Sequence, residues 1–454
     1  MRALLSKAAG GPETLGLDEL PDPVAGAGQV VVAVKACAIN YPDVLIIEDK
    51  YQFKPQRPFA PGGEIAGVIE SIGEGVTGWT VGDRVIGMTG HGGLVEKVAV
   101  PAGSLYPLPP ERDFAEGAAL LLTYATTIHA LLDRGHLAEG QSLLVLGAAG
   151  GVGLAAIELG KAFGARVVAA VSSEEKAQAA RDAGADETLI YARAPFDKDQ
   201  SKALAEQFKA LGGKAGYDVI YDPVGGDYAE PALRSIAWEG RYLVVGFPAG
   251  IPKLPLNLTL LKSCDVCGVF WGAFAARDPK ANAAHIARLF QLWQDGKIAP
   301  RVTETFAFED GGKAIAKMAA RAAIGKLVVK VADCRPHSSP RPCAGVHRPP
   351  YASSAAGAAR STPGQARGDD GGSVGPMPCN FLFFCSASSA PLRERSSFLR
   401  AEARRTQRGC SSCLRAFAPS REPTFFSTRR REDAKAAYEL ATRPAATRRS
   451  DTQT

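Results

Sequence analysis

One stretch of the chain decides its fold, and it reads Leu143-Leu144-Val145-Leu146-Gly147-Ala148-Ala149-Gly150-Gly151-Val152-Gly153. The four apolar residues at its start predict a strand buried on both faces, as in a parallel sheet. The glycines after it predict a tight turn into a helix, where backbone N–H groups can approach a diphosphate. The fingerprint G-x-G-x-x-G is matched at Gly150 and Gly153, with Ala148 in first place. We therefore predict a dinucleotide site on this turn. The alternative is a turn that binds no ligand.

Strand and helix segments alternate around this turn, from residue 124 to residue 265. This alternation predicts an α/β fold with a Rossmann-type, doubly wound parallel sheet. Residues 1–123 are instead short β-rich segments divided by Gly and Pro, which is typical of a barrel-like β domain. Two late strand segments, 302–308 and 326–331, are expected to return to that first domain within 266–333.

The 121 residues after Asp333 differ sharply in composition from the rest of the chain. They carry 20 Lys and Arg against 9 Asp and Glu, whereas the residues up to Asp333 carry 33 against 38. The main body is therefore mildly acidic, and a nucleic-acid partner is not expected for it. The tail, 334–454, is rich in Arg, Ser and Pro, which predicts disorder. It is interpreted either as an anion-binding arm or as translated sequence without selected structure, and the second interpretation is favoured.

Cysteine usage and hydropathy bear on the compartment. Only Cys37, Cys264 and Cys267 precede the tail, too few for a disulfide framework, so a reducing, cytoplasmic location is expected. In the tail, Cys410 and Cys413 lack a second pair at zinc-site spacing. No uninterrupted apolar run approaches about 18 residues, so no membrane span is expected.

The residues that distinguish NAD from NADP follow the next strand. That strand ends at Ser172, where a carboxylate would bind the ribose 2′-hydroxyl of NAD. A hydroxyl stands there instead, and Lys176 follows one helical turn later. This combination suits a 2′-phosphate and favours NADPH; the alternative is that Lys176 lies on a solvated helix face.

Several further motifs occur in order along residues 1–332. They are Ala38-Ile39-Asn40-Tyr41-Pro42-Asp43, Pro61-Gly62-Gly63-Glu64-Ile65-Ala66-Gly67, Gly82-Asp83-Arg84-Val85, Leu122-Thr123-Tyr124-Ala125-Thr126, Tyr221-Asp222-Pro223-Val224-Gly225-Gly226-Asp227 and Gly325-Lys326. With the glycine-rich turn, they resemble the medium-chain dehydrogenase/reductase superfamily, and within it the zinc-independent, zeta-crystallin-like quinone oxidoreductases. The resemblance implies a discontinuous GroES-like domain (1–123 and 266–333) and a Rossmann domain (124–265).

The same resemblance predicts that the site holds no metal. Zinc-dependent relatives place a Cys at the position of Asn40, a His at that of Gly63 and a third ligand near Leu122. None of these three side chains binds metal here, and catalytic zinc needs three protein ligands.

On the acceptor side, the resemblance implies roles for Asn40, Asp43 and Tyr51. Asn40 would hydrogen-bond the acceptor or the nicotinamide, and Tyr51 would stack on a quinone or bond its oxygen. The alternatives are structural: Asn40 caps a loop, Asp43 caps the following helix, and Tyr51 is a packed loop aromatic.

On the cofactor side, the resemblance implies a larger set of residues. Thr126 would lie near the nicotinamide, and Ser172, Lys176 and Tyr191 would surround the 2′-phosphate. The turn residues Ala148, Gly150, Gly151, Val152 and Gly153 would hold the diphosphate. Further residues at strand ends would approach the cofactor: Val224, Gly246, Phe247, Phe270, Trp271 and Lys326. Phe270 and Trp271 could equally belong to the core.

The function implied is NADPH-dependent reduction of a quinone or a related α,β-unsaturated carbonyl, such as an enone, by hydride transfer without zinc. The segment Asp265–Trp271 is a candidate edge strand for a homodimer. Two alternatives stay open: an enal or enoyl-thioester reductase, and a non-enzymatic structural or RNA-binding protein that holds NADPH.

Overall fold

The computed structural model describes residues 1–331, which form fifteen strands and eleven α-helices. The strands are β1 (Arg2–Ser6), β2 (Leu15–Glu19), β3 (Gln29–Ile39), β4 (Glu64–Ile72), β5 (Arg84–Met88), β6 (Lys97–Pro101), β7 (Leu105–Pro107), β8 (Ser142–Leu146), β9 (Arg166–Val171), β10 (Glu187–Ile190), β11 (Tyr217–Asp222), β12 (Ile236–Val244), β13 (Asp265–Gly268), β14 (Val302–Ala307) and β15 (Lys326–Lys330). The helices are α1 (Tyr41–Ile47), α2 (Phe114–Ala118), α3 (Thr126–Ile128), α4 (Gly151–Ala162), α5 (Glu174–Asp182), α6 (Lys198–Gly212), α7 (Ala229–Leu233), α8 (Asn257–Lys262), α9 (Trp271–Arg277), α10 (Pro279–Gln294) and α11 (Gly311–Ala319). The predicted tail, 334–454, lies outside the described residues.

The central layer is a six-stranded parallel sheet in the order β10-β9-β8-β11-β12-β13. Its middle strand, β8, is buried on both sides: Leu143 and Val145 belong to the same core as Ile157 of α4, and Leu144 shares the opposite core with Phe208 of α6. An apolar run without alternation needs cover on both faces, which crossover helices provide. The predicted doubly wound sheet is confirmed.

A second, seven-stranded sheet has the order β14-β15-β3-β4-β5-β7, with β6 also paired to β3. The late strands enter through β15, which pairs antiparallel with β3 at Val329 and Cys37. The GroES-like domain is confirmed as part of the fold. The predicted boundary at 265/266 falls inside β13, because that strand pairs with β12 along its length, from Asp265 to Gly268.

The two sheets meet at the glycine-rich turn. Gly325, just before β15, donates its N–H to the carbonyl oxygen of Ala149 at 2.8 Å and forms a β-bridge with Gly150. The seven-stranded sheet is therefore hydrogen-bonded to the turn that was predicted to hold a diphosphate.

One helical stretch of the described chain has the length and composition of a membrane span. It covers Phe114–Arg134, 21 residues, with a mean hydropathy of 1.2. However, 72% of its most apolar window is buried inside the protein, as in a core helix.

Candidate active site

The turn between β8 and α4 has room for a ligand at one glycine but not at another. A Cβ atom on Gly153 would lie 2.5 Å from the carbonyl oxygen of Gly147, so a side chain there would force helix and strand apart. A Cβ on Gly150 would lie 3.5 Å from the same oxygen, an ordinary contact. Gly150 is also the N-cap of the twelve-residue helix α4, whose first N–H groups lack partners within the helix. These groups can receive an anion.

Three predicted cofactor residues lie around this turn. A Cβ on Gly147 would approach Cγ2 of Val224 to 2.6 Å, so Val224 lies directly over the turn. Thr126 begins α3, and the hydroxyl of the next residue, Thr127, lies 3.5 Å from the carbonyl oxygen of Val152. The structure therefore places Val224 over the turn and brings α3 to it through Thr127, the residue after Thr126.

A small cavity extends from the turn to the ends of β9 and β10. Its lining contains Gly150 together with Ser172, Lys176 and Tyr191, all four predicted from the sequence. The Lys176 ammonium lies 3.4 Å from the Ser172 hydroxyl. Burial raises the pKa of Tyr191, whose hydroxyl lies within hydrogen-bonding reach of the Gly147 N–H. The predicted 2′-phosphate residues thus share one cavity with the turn.

Two arginines lie near Lys176 of this cavity. Burial, and then the charge of Arg193, lower the pKa of Lys176, while the Glu175 charge opposes them and Arg321 has a smaller lowering effect. Lys176 also donates to the carbonyl oxygen of Arg321 at 3.4 Å. Within residues 1–331, none of these three cations forms an ion pair with a carboxylate. Cations without a directly paired carboxylate, beside a turn that can bind a diphosphate, suit an anion.

On the other side of the turn, Asn40, Glu64 and Lys326 form a buried polar group. The Lys326 Nζ atom lies 2.5 Å from Asn40 Oδ1 and 2.9 Å from Glu64 Oε2, and Asn40 Nδ2 donates to Glu64 Oε2 at 3.1 Å. The side chains of Lys326 and Glu64 are 4% and 0% exposed. The second Glu64 oxygen accepts the Leu122 N–H at 2.9 Å. This network fixes all three side chains in place.

The network changes the interpretation of Asn40 and Asp43. The Asn40 amide is engaged with Lys326, Glu64 and, at 3.4 Å, the Ala38 carbonyl oxygen of β3, so both of its N–H donors are bonded within the protein and only Oδ1 can accept a further bond. The Asp43 carboxylate accepts the N–H groups of Asn40 (2.7 Å) and Gly62 (2.9 Å). Asp43 therefore caps α1 and holds the 61–63 loop, which is the structural alternative.

Tyr51 lies beside this group in a set of aromatic rings. It packs edge-on against Phe53, with ring centroids 5.1 Å apart, and His91 lies 6.3 Å from Phe53. Burial, and then the Asp43 charge, raise the pKa of Tyr51. Tyr51 is half-buried, so part of this residue is open to solvent.

The remaining predicted residues are spread along the strand ends. Gly246 follows β12 and donates to the carbonyl oxygen of Asp222 at 3.3 Å, while Phe247 and Phe270 are 47% and 57% exposed. The Trp271 indole N–H donates to Asn282 of α10 at 2.9 Å. The packing of Trp271 on α10 corresponds to the core alternative.

Three residues of the site were not predicted from the sequence: Glu64, Arg193 and Arg321. Glu64 stands in a motif that carries the family resemblance, and Arg193 comes two residues after Tyr191, so both had a local signal. Arg321 had none, because its carbonyl oxygen reaches Lys176 from the chain that leads to β15.

Comparison with known proteins agrees with this geometry. Residues 26–110 match the family "Alcohol dehydrogenase GroES-like domain", and residues 151–288 match "Zinc-binding dehydrogenase". The chain is 36% identical over 308 residues to a quinone oxidoreductase-like protein 2 homolog of Nematostella vectensis, covering 67% of this chain and 82% of that protein.

Two solved structures share the fold over nearly three quarters of this chain. A quinone oxidoreductase of Pseudomonas syringae is 30% identical, with a TM-score of 0.65 over 72% of this chain and 99% of that one. The Escherichia coli quinone oxidoreductase complexed with NADPH is 26% identical, with a TM-score of 0.67 over 73% of this chain and 100% of that one.

Proposed function

The chain belongs to the quinone oxidoreductase branch of the medium-chain dehydrogenase/reductase superfamily, and from this premise we propose that it reduces quinones or related α,β-unsaturated carbonyls with NADPH and without zinc. As a member of the superfamily it is an oxidoreductase that uses a nicotinamide cofactor. The observation that carries the proposal is the cavity beside the Gly150 turn, which is lined by Ser172 and by Lys176, a cation without an ion-pair partner among residues 1–331.

The residues present fit NADPH. The turn and the first N–H groups of α4 would hold the diphosphate, and Lys176, Arg193 and Arg321 would hold the 2′-phosphate. When bound, NADPH supplies a hydride from its nicotinamide ring. The chain's own contribution is to hold the reactants in place and to exclude water. The structure of the Escherichia coli quinone oxidoreductase complexed with NADPH supports this cofactor.

The residues present are a poor fit for zinc, although one matched family is named for it. Asn40 and Leu122 offer no metal ligand, and a Cβ on Gly63 would lie 3.0 Å from the carbonyl oxygen of Gly90, which leaves little room for a histidine. The neighbouring carboxylate, Glu64, is already paired with Lys326. Among residues 1–331, no group of three or more His, Cys, Asp or Glu side chains could hold a metal ion. These observations support a reaction without zinc.

The decisive experiment is stopped-flow oxidation of NADPH and of NADH against a series of quinones, enals and enoyl-thioesters, before and after chelation. We expect quinone turnover, faster with NADPH and unaffected by the chelator. Fast reaction of enals or enoyl-thioesters with slow reaction of quinones would favour that alternative class. Tight NADPH binding with no turnover on any acceptor would favour a non-enzymatic role.

We also propose that the enzyme is a homodimer joined at β13. This strand is an edge of the six-stranded sheet, and apolar side chains are exposed beside it: Val266 at 39%, Leu260 at 81% and Leu256 at 73%. An open strand edge next to apolar surface is what a second copy can cover. Light scattering tests this, and a monomeric mass would refute it. The cytoplasmic location and the lack of a nucleic-acid partner stay predictions.

A further inference from the structure

Lys326 is a buried ammonium group with an unused hydrogen-bond donor. An ammonium carries three N–H donors, and Lys326 uses two, to Asn40 Oδ1 and Glu64 Oε2. Within the described part of the chain, the third donor has no protein partner. Only 3% of the residue is exposed. A buried donor without a partner is costly, so this one marks a place where a ligand or a water molecule binds.

The position of Lys326 is between the two halves of the site. A Cβ on Gly151, the first residue of α4, would lie 3.0 Å from Lys326 Cδ, so the lysine stem packs against the turn. Its ammonium end reaches Asn40, which directly follows β3, the neighbour of β15 in the seven-stranded sheet. The free donor therefore lies where the cofactor side and the acceptor side of the cleft meet.

The charge of Lys326 is held rigidly. Glu64 is fully buried and is fixed by the Leu122 N–H as well as by Asn40. A cation fixed in a site of low dielectric constant stabilises developing negative charge strongly, because it needs no reorganisation when the charge appears.

We propose that Lys326 is a catalytic residue whose third N–H donates to the acceptor oxygen, and that Glu64 and Asn40 are its positioning residues. This rests on the proposed function. In the step it assists, the acceptor gains a hydride with its two electrons, and NADPH is oxidised to NADP⁺. One carbonyl oxygen of the acceptor becomes an oxyanion beside Lys326, and water then protonates it. The substrates are therefore carbonyl compounds whose oxygen becomes anionic on reduction, such as quinones and enones.

The test uses the full chain with two variants. Lys326→Met alone would leave the Glu64 carboxylate buried and unpaired, which destabilises the fold. The double variant E64Q/K326M removes both charges together. E64Q keeps the lysine as the matched control; its ammonium loses the counter-charge but keeps a side-chain oxygen to donate to, and thermal unfolding measures what this costs. We measure thermal unfolding, the NADPH dissociation constant by fluorescence, and single-turnover hydride transfer to a quinone with NADPH and with NADPH deuterated at the transferred position.

We expect E64Q/K326M to fold and to bind NADPH within about threefold of wild type. Its hydride transfer should slow by about 100-fold, the effect of losing one preorganised oxyanion donor, with a larger deuterium isotope effect. E64Q should lose less than about tenfold, since Lys326 remains. A double variant with wild-type hydride transfer, or one that no longer binds NADPH, would overturn the catalytic role of Lys326 but leave the proposed function standing. A wild-type chain that reduces neither quinones nor enones would overturn the proposed function, and this inference with it.

Discussion

Two neighbouring glycines of the phosphate turn are expected to respond oppositely to the same substitution. Gly153→Ala places a methyl group 2.5 Å from the Gly147 carbonyl oxygen and 2.7 Å from backbone atoms of Ala148, none of which can move alone. Gly150→Ala meets only the Gly147 oxygen, at 3.5 Å, in an extended backbone that alanine adopts freely. The first change strains the protein itself, whereas the second occupies space that only a bound diphosphate needs.

The magnitudes follow from these contacts. For G153A, overpacking of this kind lowers the free energy of unfolding by about 1–3 kcal/mol. In a domain of this size, each kcal/mol of lost stability lowers Tm by about 2–4 °C. For G150A, loss of a glycine N-cap destabilises the protein, whereas reduced freedom of the unfolded chain stabilises it. The two effects nearly cancel, so the free energy of unfolding should change by less than about 1 kcal/mol. Its methyl group should instead weaken NADPH binding by about 10- to 100-fold, or roughly 1.4–2.8 kcal/mol.

Calorimetry of unfolding and of NADPH binding, on both variants, separates the two effects. Gly16→Ala is the control, since a Cβ there meets nothing within 4 Å and Gly16 lies in β2, away from the turn. We expect wild-type behaviour from it in both measurements. If G150A bound NADPH as tightly as wild type, the diphosphate would not lie on this turn, and the argument from its geometry would be refuted.

Four further predictions concern other parts of the molecule. The variant S172A/K176A should weaken NADPH binding at least about tenfold and leave NADH binding unchanged, as measured by titration with each. Burial raises the pKa of Asp43 to about 6, from 3.8, so its contribution of about 3 kcal/mol to stability is complete below about pH 4 and is lost as the pH rises to about 6. Urea unfolding across this range should show that slope for wild type and a flatter one for D43N. Prolonged chelation should leave the quinone reductase rate unchanged, and a metal-dependent rate would contradict the absence of zinc ligands at the site. Removal of residues 334–454 should also leave this rate unchanged, because the six-stranded and seven-stranded sheets are each formed by strands within residues 1–331, and loss of folding would contradict this.

Local sequence was sufficient wherever structure depends on neighbours in the chain. The run Leu143–Leu146 is apolar at every position, so it had to be a strand covered on both faces, and the turn after it needs a glycine at 153 because helix and strand touch there. Ser172 and Lys176 could be placed in the same way, since they follow a strand whose end faces the turn. The sequence therefore determined the parallel sheet, the dinucleotide turn and most of the cavity beside it.

Only the tertiary structure decided what surrounds the reacting groups. Lys326 is 286 residues from Asn40 and 262 from Glu64, so no local pattern relates them. They meet because β15 returns to pair with β3 while Gly325 bonds to the turn. The same closure made the Asn40 amide a partner of Lys326 and left Asp43 a capping residue. Contacts of this kind depend on how two sheets pack, and burial then makes each polar group bond to whatever the packing has placed beside it.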